Sequence, residues 1–86
     1  MEEVAAAVIE QAAIDYYNLV KDCSDSPDDF KTYKVKRLKK VIKFFKSEWY
    51  DELATLCNFR ISGIEVMKVL NKKVENNIPM ERKMYA

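Results

Sequence analysis

FKTYKVKRLKKVIKFFKSEWY, from Phe30 to Tyr50, is the stretch on which the reading of this 86-residue chain turns. Its first part, Phe30 to Lys46, holds eight Lys or Arg and no acid. Within it Phe30, Tyr33, Leu38, Val41, Ile42 and Phe45 recur at spacings of three and four, the signature of an amphipathic helix. At about 100° per residue, Phe30, Leu38, Val41, Ile42 and Phe45 fall within an arc of roughly 120°. Lys36, Lys39, Lys40, Lys43 and Lys46 occupy a similar arc on the opposite side. One segment therefore needs burial on one side and water or an anion on the other. Lys31, Lys34 and Arg37 interrupt the apolar side near the N-terminus, so those turns either project beyond the core or lie against acids elsewhere.

Working outward, the chain has the length of one small domain. One Gly and two Pro are too few for the turns of a sheet protein, which predicts long helices with short connections. The predicted fold is all-α, a small bundle of three to four helices at about 2–21, 27–46, 48–57 and 63–75, with a frayed tail over 78–86. In helix one, Ala5, Val8, Ile9, Ala12, Ala13, Tyr16, Tyr17, Leu19 and Val20 give a wide apolar face, with one tyrosine of the pair packed and the other left in water. Ser26 before Pro27 is a hydroxyl N-cap followed by proline at the first helical position, and predicts the start of helix two.

Ser47, with Glu48 and Asp51 after it, is a second capping signal. Two readings stand: a break at Ser47, which is favoured, or one straight stripe through Phe45, Trp49, Leu53 and Leu56. Trp49, the single tryptophan, is expected at the centre of the core, with an interface anchor as the minority reading. Ser62-Gly63-Ile64-Glu65 has the form of a capping box, with Ile61 and Val66 placed as its hydrophobic staple. Ile64, Met67, Val69 and Leu70 are the expected apolar positions of the last helix, which Asn76, Asn77 and Pro79 end. Ile78, Met80 and Tyr85 are available to dock on the bundle or on a partner.

The net charge of +1 conceals blocks: residues 1–29 carry eight acids and one Lys, residues 30–46 only cations, and the remainder six of each sign. Blocks of this kind make solvated faces and intramolecular attraction, and what is left over faces a partner. No run of 18 apolar residues occurs, so no membrane partner is expected, and acids precede the apolar start of the chain where a secretory signal needs cations. Cys23 and Cys57 stand alone without a histidine to complete a metal site, and two idle thiols suit an intracellular protein.

IDYY in helix one, FFKSEWYDEL in the middle and SGIEVMKVL near the end together resemble a group of small phage and prophage proteins of Gram-positive bacteria. Phe44, Phe45, Ser47, Glu48 and Trp49 match that group's FFRSEWF-like block, and Gly63, Ile64 and Leu70 match its last helix. Ser62 stands where the group has aspartate, which keeps the cap; the Lys-rich run before Phe44 and the NFR before Ile61 are this chain's own. The likeness covers about residues 11–73. It implies a phage-encoded accessory protein in the cytoplasm of a bacterial host, and carries no mechanism with it. By analogy, a compact scaffold biased to one sign of charge looks like an anti-defence inhibitor, anti-CRISPR proteins included.

Catalysis has little to draw on: no histidine, no glycine-rich phosphate loop, and no carboxylate pair in a recognisable motif. The acids of CSDSPDD lack the spacing of a calcium loop. The expectation is a non-enzyme without cofactor or metal. It would dock on a host or phage protein with an acidic or nucleic-acid-binding surface, through Tyr33, Lys36, Lys39, Lys40, Lys43, Lys46 and Tyr50. The alternative is a nucleic-acid-binding regulator, either helix-turn-helix-like or non-specific through the same lysines. In the former, Leu53, Ala54, Asn58, Ile64 and Met67 approach the motif's spacing, but Glu65, Val66 and Val69 would face the bases, a poor reading surface. The wide alanine face of helix one also leaves room for a homodimer.

Overall fold

A computed structural model describes residues 2–29 and 31–79. Among them the fold is all-α: α1 (Glu2–Asp25), a single 3₁₀ turn (Pro27–Asp29), α2 (Thr32–Phe45), α3 (Glu48–Leu56) and α4 (Gly63–Glu75), with no strand. The long α1 is the spine, packed against all three other helices, while α2 also meets α3 and α4. Its small residues allow this: Ala5 and Ala13 are fully covered, beside Ile9, Tyr16, Tyr17 and Leu19. The predicted wide apolar face is present, with Val8 at its edge, 36 % exposed.

Two helix boundaries differ from expectation. α1 runs on to Asp25, where Ser26 N–H donates to the Asp22 carbonyl at 3.0 Å. Pro27 then opens only a 3₁₀ turn, and α2 begins afresh at Thr32 behind Lys31, whose side chain makes no cap. The aspartates after Pro27 therefore belong to that turn instead of starting α2. Phe30, expected on the apolar side of α2, and residues 80–86, expected as tail, lie outside the described residues.

The chain breaks at Ser47, as its capping signal predicts. Lys46 N–H and Ser47 N–H close α2 onto the Ile42 and Phe44 carbonyls, and Ser47 Oγ accepts from Tyr50 N–H at 3.2 Å to open α3. The break re-phases the next helix. Tyr50, Leu53 and Ala54 turn inward at helical spacing, and Trp49 turns outward, 55 % exposed. The expected core tryptophan is thus a surface residue, and the deepest aromatic is its neighbour Tyr50. Tyr50, Phe45, Phe44 and Tyr16 form a cluster of edge-on and tilted rings with centroids 5.4 to 6.2 Å apart.

α3 and α4 end alike. Asn58 (φ 57°) and Asn77 (φ 53°) adopt the left-handed conformation just past each helix. Phe59 N–H then reaches the Ala54 carbonyl and Ile78 N–H the Lys73 carbonyl, both at 2.8 Å, in the six-to-one pattern of a Schellman stop. Ile78 is further held by Tyr17, whose hydroxyl donates to its carbonyl at 2.8 Å, so the described start of the expected tail is pinned to α1. Tyr16 donates to Asn71 Oδ1 at 2.7 Å. Both tyrosines of the pair are therefore buried and tied to the C-terminal part of the chain, where only one was expected to pack.

α4 opens on Ser62, whose Oγ accepts from Glu65 N–H at 3.2 Å. Its buried side is Val66, Met67 and Leu70, while Ile64 and Val69, two of its expected apolar positions, are about half exposed. Gly63, the chain's one glycine, lies at the crossing with α2. A Cβ there would stand 2.6 Å from the Phe45 carbonyl carbon and 2.9 Å from its Cα, and closer still to the carbonyl oxygen. These are backbone atoms that no rotamer change can move aside. Gly63→Ala is therefore expected to cost roughly 3 kcal/mol or more, an overpacking penalty, although alanine is the better helix former. Ser47→Ala should cost about 1 kcal/mol. Denaturant unfolding of the two variants beside the parent chain measures both.

Candidate docking face

α2 presents its inner side to the core through Phe45, buried, and Leu38, Val41, Ile42 and Phe44, partly covered. Lys36, Lys39, Lys40, Lys43 and Lys46 are all exposed on the outer side, and Tyr33, 57 % exposed, stands at the same face near the N-terminus. None of these five lysines forms an ion pair with a carboxylate among the described residues. Lys34 behaves differently. Its position falls on the inner arc of α2, where it meets Asp22 of α1 in a partly buried ion pair. The acidic block of α1 thus engages the lysine that points toward it and leaves the outer row alone.

That row carries a local cost. Lys36 with Lys40, and Lys39 with Lys43, are like charges one turn apart, each pair unfavourable by about 0.2–0.5 kcal/mol. Lys43 gains a little back from the negative end of the helix dipole. A bound anionic surface would offset this repulsion.

Tyr50, proposed from sequence as a contact residue of this face, is not on it. It is fully buried, and its hydroxyl donates to the Ile61 carbonyl at 2.6 Å. The reason is the re-phasing at Ser47, which exchanges the places of Tyr50 and Trp49. Burial, with the added influence of Cys57 and Asp51, pushes the Tyr50 phenol up to about 12 from its ordinary 10.0. Tyr16 is raised as well, by burial, against the pull of its bond to Asn71.

Sequence reasoning missed a second surface feature because three helices build it. Ile42 of α2 with Lys46 just past its end, and Ile64, Met67 and Lys68 of α4, border an open, mostly apolar groove over Tyr16 of α1. Of the residues that a helix-turn-helix reading turns to the bases, Glu65 and Val69 are exposed and Val66 is buried, and the connection from Cys57 to Ser62 is longer than the three or four residues that motif uses. Cys23 and Cys57 are free and half-buried, and no cluster of three or more metal-ligating side chains occurs among the described residues. No described helix is long and apolar enough to cross a membrane. Comparison with known proteins finds no family model, no curated protein and no solved structure that matches this chain.

The Tyr50 shift sets a pH dependence. The buried phenol favours the neutral form, so its contribution to stability is complete below pH 10 and is lost as pH rises through about 12. Stability measured by denaturant unfolding across that window should fall, and Tyr50→Phe should fall less steeply. The same variant should cost about 1 kcal/mol at neutral pH through the lost hydrogen bond.

Proposed function

We propose that this chain is a non-catalytic binding protein whose α2 lysine face docks on another protein. The surface it suits is acidic, or one that normally holds nucleic acid. The observation that carries this reading is the row of five exposed lysines, free of carboxylate partners among the described residues and bordered by the exposed ring of Tyr33. Rows of this kind raise association rates by steering an acidic partner, and the tyrosine supplies apolar area where the charges supply orientation. The resemblance of FFKSEWY and SGIEVMKVL to small phage proteins supports the setting: a phage-encoded inhibitor or adaptor, of the anti-defence kind, acting in the host cytoplasm.

The test is capture from host lysate at low and at raised salt, with the parent chain and with Lys39→Glu/Lys40→Glu/Lys43→Glu side by side. The parent should retain one stoichiometric protein in a salt-sensitive manner, and the triple variant should lose it. Its melting temperature should stay close to the parent's, because exposed charges each change stability by no more than about 0.5 kcal/mol. Capture that survives the triple reversal would remove the lysine row from the interface. A shift of duplex or single-stranded DNA with a steep salt slope would instead assign the row to nucleic-acid backbone.

A further inference from the structure

The groove between α2 and α4 and the outer face of α3 each expose apolar side chains and carry opposite charge. The groove is apolar along Ile42, Ile64 and Met67, and is also lined by two lysines, Lys46 at the end of α2 and Lys68 on α4. Lys46 has no carboxylate partner among the described residues. Lys68 reaches only its own neighbour Glu65, at 3.9 Å and largely in water, a contact too exposed to hold it. Ile64, on the groove wall, is 51 % exposed.

The face of α3 supplies the opposite features. Trp49 is 55 % exposed and Leu56 48 % exposed; seven residues apart, they share one side of the helix. Glu52 lies between them and Glu48 beside Trp49, both exposed and neither in an ion pair with a described residue. A large, half-exposed tryptophan flanked by Glu48 and Glu52 is an anchor for an apolar slot with cationic edges, and that slot is present in the same molecule.

We propose that the groove of one copy receives Trp49 of a second copy, with the carboxylates of Glu48 and Glu52 against Lys46 and Lys68. Groove and anchor are linked by the short α2–α3 turn, Lys46 being its first residue and Trp49 following three positions later. A two-fold axis near that turn lets each copy fill the other's groove at once, a closed and self-limiting pair. Lys36, Lys39, Lys40 and Lys43 are not used in this contact. Of the docking row only Lys46 enters it, so the homodimer goes beyond the docking function, and the Lys39, Lys40 and Lys43 reversals that test that function leave the pairing contact unchanged.

The pairing is tested by charge exchange, using sedimentation over a range of concentrations and the emission of the single tryptophan. The parent chain should sediment as a dimer with blue-shifted emission. Lys46→Glu/Lys68→Glu and, separately, Glu48→Lys/Glu52→Lys should each weaken the dimer on the order of 100-fold and shift emission to the red. Mixed in equal amounts, the two variants present opposite charges at both contacts, and a heterodimer should return. Helical circular dichroism at the parent level shows that each variant is folded, and Trp49→Ala, which leaves the core untouched, should also be monomeric. A parent chain that is monomeric throughout would overturn the proposal. So would folded variants that remain dimeric, or a mixture that fails to associate.

Discussion

Gly63 lies against the backbone of Phe45 with no room for a side chain between them, and this one close crossing sets where α2 and α4 can be. The crossing places Phe45 beneath α4, and with Phe45 the ring cluster that joins Tyr16 of α1 to Tyr50 of α3. A chain this small has few buried large side chains, and Tyr50 and Phe45 are the most completely enclosed of them. Once α2 is fixed at its C-terminal end by this crossing and near its N-terminal end by the Lys34–Asp22 ion pair, its rotation about its own axis is settled. The outer lysines have nowhere to face but solvent or a partner.

The parts of this arrangement that the sequence displays are those set by local chemistry. The 3.6-residue period marks the inner and outer sides of α2, and the serine caps at Ser47 and Ser62 mark two helix starts to the residue. What it does not display is phase across a break. Before and after Ser47 the apolar pattern is compatible with two rotations of α3, one burying Trp49 and one burying Tyr50. The choice is made by tertiary packing against Phe44 and Phe45. Pro27 misleads for a related reason: its cap signal is satisfied by a 3₁₀ turn as well as by an α-helix.

The candidate site divides the same way. The lysine row lies on one helix, so periodicity alone locates it. Tyr50 is assigned to it from sequence only because the phase at the break is open. The groove combines residues of α1, α2 and α4 that are far apart in sequence, and no spacing rule brings them together. Lys34 shows how fine the electrostatic division is. A cation on the inner arc of α2 finds Asp22, and those on the outer arc find no carboxylate among the described residues, although α1 carries an acidic block nearby.

The central claim is that the outer lysines have no duty within their own molecule. Residue-resolved labelling of lysine amines under native conditions, followed by mass spectrometry, tests it most directly, with Lys34 as internal reference. Lys36, Lys39, Lys40 and Lys43 are expected to react at the rate of free lysine side chains, and Lys34 measurably more slowly. If these four react as slowly as Lys34 in the isolated protein, they are engaged at home and the docking face does not exist.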